Sequence, residues 1–157
     1  HRGPATGLTE AFLVHTGANN ATDLLQGLFF GRYQLTSKAA PLVFQVAKTG
    51  DTVAQQVITW AGRELAESAL GIIRQLKFED VDYDLVLAGS IFKGGSLLLD
   101  PLKTRVREVA PQVHFKVLTT PPVVGAVFLG MEQAGMNYVS LRKPLIESAS
   151  ALFACRG

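Results

Sequence analysis

The longest patterned stretch of the chain runs from Asp51 to about Leu76. There Val53, Val57, Ile58, Ala61, Leu65, Ala69, Ile72, Ile73 and Leu76 recur at three- and four-residue steps. That period predicts one long amphipathic helix with a buried apolar stripe, and Asp51, following Gly50, is placed to cap it. Three shorter helices are predicted before it. One covers Thr9 to Thr16 with Thr9 as N-cap. A second covers Thr22 to Phe30 and ends near Gly31. A third is capped by Ser37, carries Pro41 in its first turn and stops at Thr49-Gly50.

Beyond Leu76 the pattern changes. Leu85 to Ala88 is a continuous apolar run bounded by turn residues, which predicts a strand covered on both faces. Leu97 to Ala110 reads as a crossover helix closed by Pro111. Val113 to Leu118 alternates apolar and polar positions, as a strand nearer an edge does. Together these make a βαβ-like unit with parallel pairing. Thr119-Thr120 and Pro121-Pro122 then open a helix to about Ala134, and a last helix starts at Pro144 with Leu145, Ile146, Ala149, Leu152 and Phe153 on it.

The expected fold is therefore α/β and helix-rich, a single domain over 1–157. Residues 1–78 are mainly helical, and 79–157 form the βαβ-like unit with C-terminal helices. Two strands make a marginal sheet. Either helices shield it, or further strands lie upstream of His1. A first residue other than Met fits the second expectation, a piece of a longer protein.

Composition narrows the partners. Across 157 residues, 48% are hydrophobic and 18% charged, which fits a packed globular domain and excludes a disordered one. The net charge of +2 is small and the basic residues are dispersed, so nucleic acid is not expected. Lys103, Arg105 and Arg107, the densest basic stretch, read as the wet face of a helix. No apolar run is long enough to span a bilayer. The single cysteine, Cys155, excludes an internal disulfide and fits a reducing compartment, so a cytoplasmic location is expected.

The candidate chemistry sits at one strand end. In Asp84-Leu85-Val86-Leu87-Ala88-Gly89-Ser90-Ile91-Phe92-Lys93 an apolar strand stops at a Gly-Ser pair and passes through Gly94-Gly95 into a helix. Bare backbone there lets a ligand approach closely, and ligands of open α/β sheets gather outside the carboxyl ends of strands. A tight turn with no ligand explains the same residues. Elsewhere, His1, His15 and His114 lack metal-ligand spacing, no nucleophile–base pair stands out, and Asp51 reads as structural.

Three segments resemble one family in order and spacing. They are Ala39-Ala40-Pro41-Leu42-Val43-Phe44-Gln45-Val46-Ala47-Lys48-Thr49-Gly50-Asp51-Thr52-Val53-Ala54, the turn Ala88-Gly89-Ser90-Ile91-Phe92-Lys93, and Pro122-Val123-Val124-Gly125-Ala126-Val127-Phe128-Leu129-Gly130. They resemble BadF/BadG/BcrA/BcrD-type ATPases, a group that includes N-acetylglucosamine kinases. The resemblance implies the second, C-terminal lobe of an actin-like (ribonuclease H-like) ATPase fold, with an incomplete sheet.

It also implies that ATP is contacted by Gly89, Ser90, Ile91 and Lys93. Lys93 has the reach for a ribose or phosphate oxygen, and equally reads as a solvated lysine; Phe92 reads as core. Gly125, Ala126 and Gly130 would leave room for a close helix crossing at a hinge. The Asp-Gly-Gly-x-Thr phosphate loop, the catalytic carboxylate and the Mg ligands of the family have no counterpart here, so no catalytic or metal residue is assigned. The implied partners are ATP, a sugar and an N-terminal lobe, and the chain alone is expected to be inactive. A lone Cys155 does not match the cluster-bridging cysteines of the family's dehydratase activators, which favours kinase over activator. The competing reading is a non-catalytic helical interaction module. An open strand edge predicts self-association, hence a possible homo-oligomer, under either.

Overall fold

A computed structural model describes residues 3–154, and the side chains of 3–152. The chain is helix-rich with a small parallel two-stranded sheet. It divides into two compact units, 1–82 with 93–113, and 83–92 with 114–157.

The first unit contains α1 (Gly7–Thr16), α2 (Ala21–Phe29), a 3₁₀ turn (Ser37–Ala39), α3 (Ala40–Lys48), α4 (Thr52–Leu76) and α5 (Ser96–Arg107). Asp51 caps α4 as expected, its Oδ1 accepting from the Ala54 N–H at 2.9 Å. The buried line of α4 is Ala54, Ile58, Gly62, Ala66, Leu70 and Ile73. Only Ile58 and Ile73 coincide with the expected stripe; Val57, Ile72 and Leu76 are exposed. The cause is helix proximity. A Cβ on Gly62 would stand 2.4 Å from the Leu98 carbonyl oxygen, so α5 lies against nearly bare α4 backbone. At that point only a glycine leaves room, and a scan for large apolar side chains passes over Gly62 and the buried alanines beside it on the line. From α5, Leu98, Leu102 and Val106 fill the contact.

Two caps move from their expected positions. Thr6, not Thr9, caps α1, which starts at Gly7 and places Thr9 within its first turn. Thr36, not Ser37, caps the 3₁₀ turn that leads into α3. Asp51 also joins two helix starts. Its Oδ2 accepts from the Gly7 N–H at 2.7 Å, and the Thr6 hydroxyl donates to Oδ1 at 2.9 Å. A second such node is Asp23, which accepts from the Asn19 N–H, Arg32 Nη2 and the Tyr33 hydroxyl.

The second unit is sparser. It holds β1 (Tyr83–Leu87), most of β2 (Val113–Val117), α6 (Pro122–Gln133), a 3₁₀ turn (Val139–Leu141) and α7 (Arg142–Ala154). The strands pair with each other alone among the described residues, and the ladder closes with Leu118 N–H donating to the Leu87 carbonyl at 2.9 Å. β1 is not covered on both faces: its residues alternate in exposure, with Leu87 buried and Val86 exposed. The apolar run reflects β propensity on a face that this chain leaves open. Thr119 and Thr120 do not cap α6; Pro121 precedes it without a side-chain cap. Pro122 at the first position has a φ already suited to the helix, and its missing N–H removes one of the unpaired donors at that end.

Candidate functional site

The turn after β1 is built for exposed backbone. Gly89 has φ 135°, a conformation that strains any residue with a Cβ. Space is not the constraint, because the nearest atoms to a Cβ there would be Phe92 ring carbons at 3.9 and 4.0 Å. The Phe92 N–H donates to the Gly89 carbonyl at 3.3 Å and turns the chain into a 3₁₀ segment, Ser90–Gly94. Ser90, Ile91 and Lys93 are all exposed along it, while Phe92 is half-buried rather than core. The local chain thus presents Gly89, Ser90, Ile91 and Lys93 to solvent in succession. Gly89–Phe92 fall in the second unit and Lys93 in the first.

One neighbour of the turn, Phe44, is not singled out by sequence reasoning. In the first unit a Cβ on Gly94 would collide with Phe44, 2.4 Å from its Cε1, so that ring packs on bare backbone at the end of the turn. The signal was present in the chain as the Gly94-Gly95 pair. Gly95 (φ 81°) then opens α5 with no side-chain cap. The first N–H groups of that helix therefore lack a side-chain acceptor. What the turn offers is hydroxyl and amide donors with one cation, and no carboxylate among residues 89–95. Such a set suits an anionic or polar ligand and contains no acid–base pair for chemistry of its own.

Perturbed titrations lie elsewhere. Hydrogen bonds from the backbone of Ala54 and then Gly7 hold the Asp51 carboxyl below the usual carboxylate range. The Asn19 N–H does the same for Asp23, and the bond to Asp23 raises the Tyr33 hydroxyl. Both carboxylates serve helix starts, which agrees with a structural role for Asp51. Among the described residues no group of three or more His, Cys, Asp and Glu gathers to hold a metal. His114 stands exposed on β2; His1 and Cys155 lie outside the described residues.

The close crossing expected of α6 is at a hinge to another lobe; within the described residues its glycines stand clear of other elements. A Cβ on Gly125 or Gly130 would meet nothing within 4 Å. A close crossing within the chain is made at Gly62, against α5. Among the described residues no helix is long and apolar enough to cross a membrane.

Over 133 residues the chain is 26% identical to an N-acetyl-D-glucosamine kinase from Dictyostelium discoideum. The match takes in 82% of this chain and 42% of that protein. No family model matches the chain. No solved structure matches it either. The likeness is distant and supports a relationship to sugar kinases.

Proposed function

We propose that this chain is the C-terminal, nucleotide-binding lobe of an ATP-dependent sugar kinase, of the kind that phosphorylates N-acetylglucosamine. The observation that carries the reading is the match to the Dictyostelium kinase over 82% of the chain. The exposed Gly-Ser turn supports it by supplying a contact suited to adenosine. Gly89 brings the peptide plane close to the nucleoside, Ser90 offers a hydroxyl and an N–H, Ile91 offers an apolar surface, and Lys93 reaches toward a ribose or phosphate oxygen. Mg and the carboxylate that orients the sugar hydroxyl are proposed to be held by residues outside this chain, within an actin-like pair of lobes. Catalysis would then rest on positioning and charge stabilisation.

The test is a titration of the chain with Mg-ATP, read from backbone amide resonances. Shifts confined to Gly89, Ser90 and their neighbours are expected at millimolar nucleotide. Binding with shifts centred elsewhere would overturn the site assignment. Joined to the rest of its coding sequence, the protein should transfer phosphate from ATP to N-acetylglucosamine. Absence of transfer to any sugar would overturn the kinase reading.

A further inference from the structure

The solvent side of α4 carries a feature that neither the helix packing nor the Gly-Ser turn uses. Trp60 is 62% exposed, although a tryptophan is among the most favourable residues to bury. It borders a groove of about 570 Å³, a volume in the range of small-molecule sites. Gln56, Thr59, Trp60 and Arg63 lie three or four residues apart and so share one helix face. Gln55 adds a carboxamide whose Nε2 donates to the Ala47 carbonyl at 3.1 Å, which leaves its oxygen to accept from a ligand. From α5, Leu97 closes one end. Its carbonyl has no helical donor four residues on, because that position is Pro101.

The chemistry of the lining is selective. It combines an aromatic face, two carboxamides, hydroxyls and one guanidinium, with no carboxylate. Arg63 makes no ion pair among the described residues. Thr59 and Arg63 also border the next groove along α5, which holds Asp100 and Glu108; there Glu108 is bonded to Arg105 at 2.8 Å. An indole face packs against the C–H face of a pyranose. Carboxamides and hydroxyls spread over successive turns match ring hydroxyls on several sides better than the single hydrogen-bonding edge of a base. An unpaired guanidinium selects an anionic substituent.

We infer that the Trp60–Arg63 groove is a binding site for a sugar phosphate, stacked on the Trp60 indole with its phosphate on Arg63. The site stands on the chemistry of this groove and not on the nucleotide reading of the Gly-Ser turn.

Trp60 is the single tryptophan of the chain, so its fluorescence reports on this groove. The full chain is titrated with glucose-6-phosphate, glucose, inorganic phosphate and AMP. Glucose-6-phosphate should give a saturable change in emission, with glucose at least roughly tenfold weaker because the charge-assisted bond is missing. By calorimetry, Arg63→Met should bring the two sugars to equal affinity. Trp60→Ala should keep the helical circular dichroism of the parent and lose binding of both. No saturable signal up to about 10 mM glucose-6-phosphate overturns the inference. So does an equal affinity for inorganic phosphate, which would mean an anion site alone, or tighter binding of AMP, which would mean a nucleotide site.

Discussion

The two compact units are stabilised in different ways. In the first, α4 and α5 meet through nearly bare backbone at Gly62, and Leu70, Leu98, Leu102 and Val106 are fully buried. In the second, Leu87 and Val124 are the buried hydrophobic residues among those described, while Val86, Val123, Val127 and Leu152 stand exposed. Helices can satisfy their backbone locally and need only one stripe covered. A two-stranded sheet has open edges and gains little by itself. The lesson is that burial in this chain follows helix proximity more closely than hydrophobicity.

The largest expected effect tests that contrast at its centre. Leu102→Ala should cost about 3 kcal/mol in chemical denaturation, whereas Val124→Ala, with less side chain to lose, should cost about 1 kcal/mol. Comparable losses would mean the second unit is packed as tightly as the first. Next is Gly62→Ala, which should cost about 1–3 kcal/mol because the new methyl meets a backbone carbonyl that yields only if α5 moves. A neutral result would show that α5 is not held against α4.

A smaller effect belongs to Asp51. Its folded-state pKa is depressed, so its contribution to stability is present above the unfolded carboxylate value and is lost as pH falls through the folded value. Asp51→Asn should therefore lower Tm at neutral pH, and the gap from the parent should narrow below about pH 4. A gap that is constant with pH would remove the carboxylate charge from the account. The smallest effect is Gly125→Ala. With open space around it, the helix-propensity gain should stabilise by roughly 0.5–1 kcal/mol, opposite in sign to Gly62→Ala. Destabilisation there would show that α6 needs its bare face.

These pairs also show what was legible in the sequence. The strand–turn–helix junction, the long helix with its Asp51 cap and the order of the later elements could be read because propensity and capping act over a few residues. The buried stripe of α4 could not. Gly62 is informative only once α5 is known to lie on it, and that contact spans a long stretch of chain. Gly125 and Gly130 could be read as small positions on α6, and among the described residues nothing lies within 4 Å of a Cβ on either. At the candidate turn, the run from Gly89 to Lys93 was visible as a motif, while Phe44 against Gly94 was not, since no local signal pairs residues fifty positions apart.

The carboxylate shared by Gly7 and Ala54 has a consequence for how the molecule assembles. The Gly7–Asp51 bond joins positions separated by 44 residues. Closing a flexible loop of that size costs about 3 kcal/mol in chain entropy before any contact is made. One hydrogen-bonded side chain does not meet such a cost alone. The bond is therefore expected to form after α2 and α3 have shortened the loop. Asp51 acts as a latch that closes on a nearly finished bundle, and its loss should speed unfolding more than it slows folding.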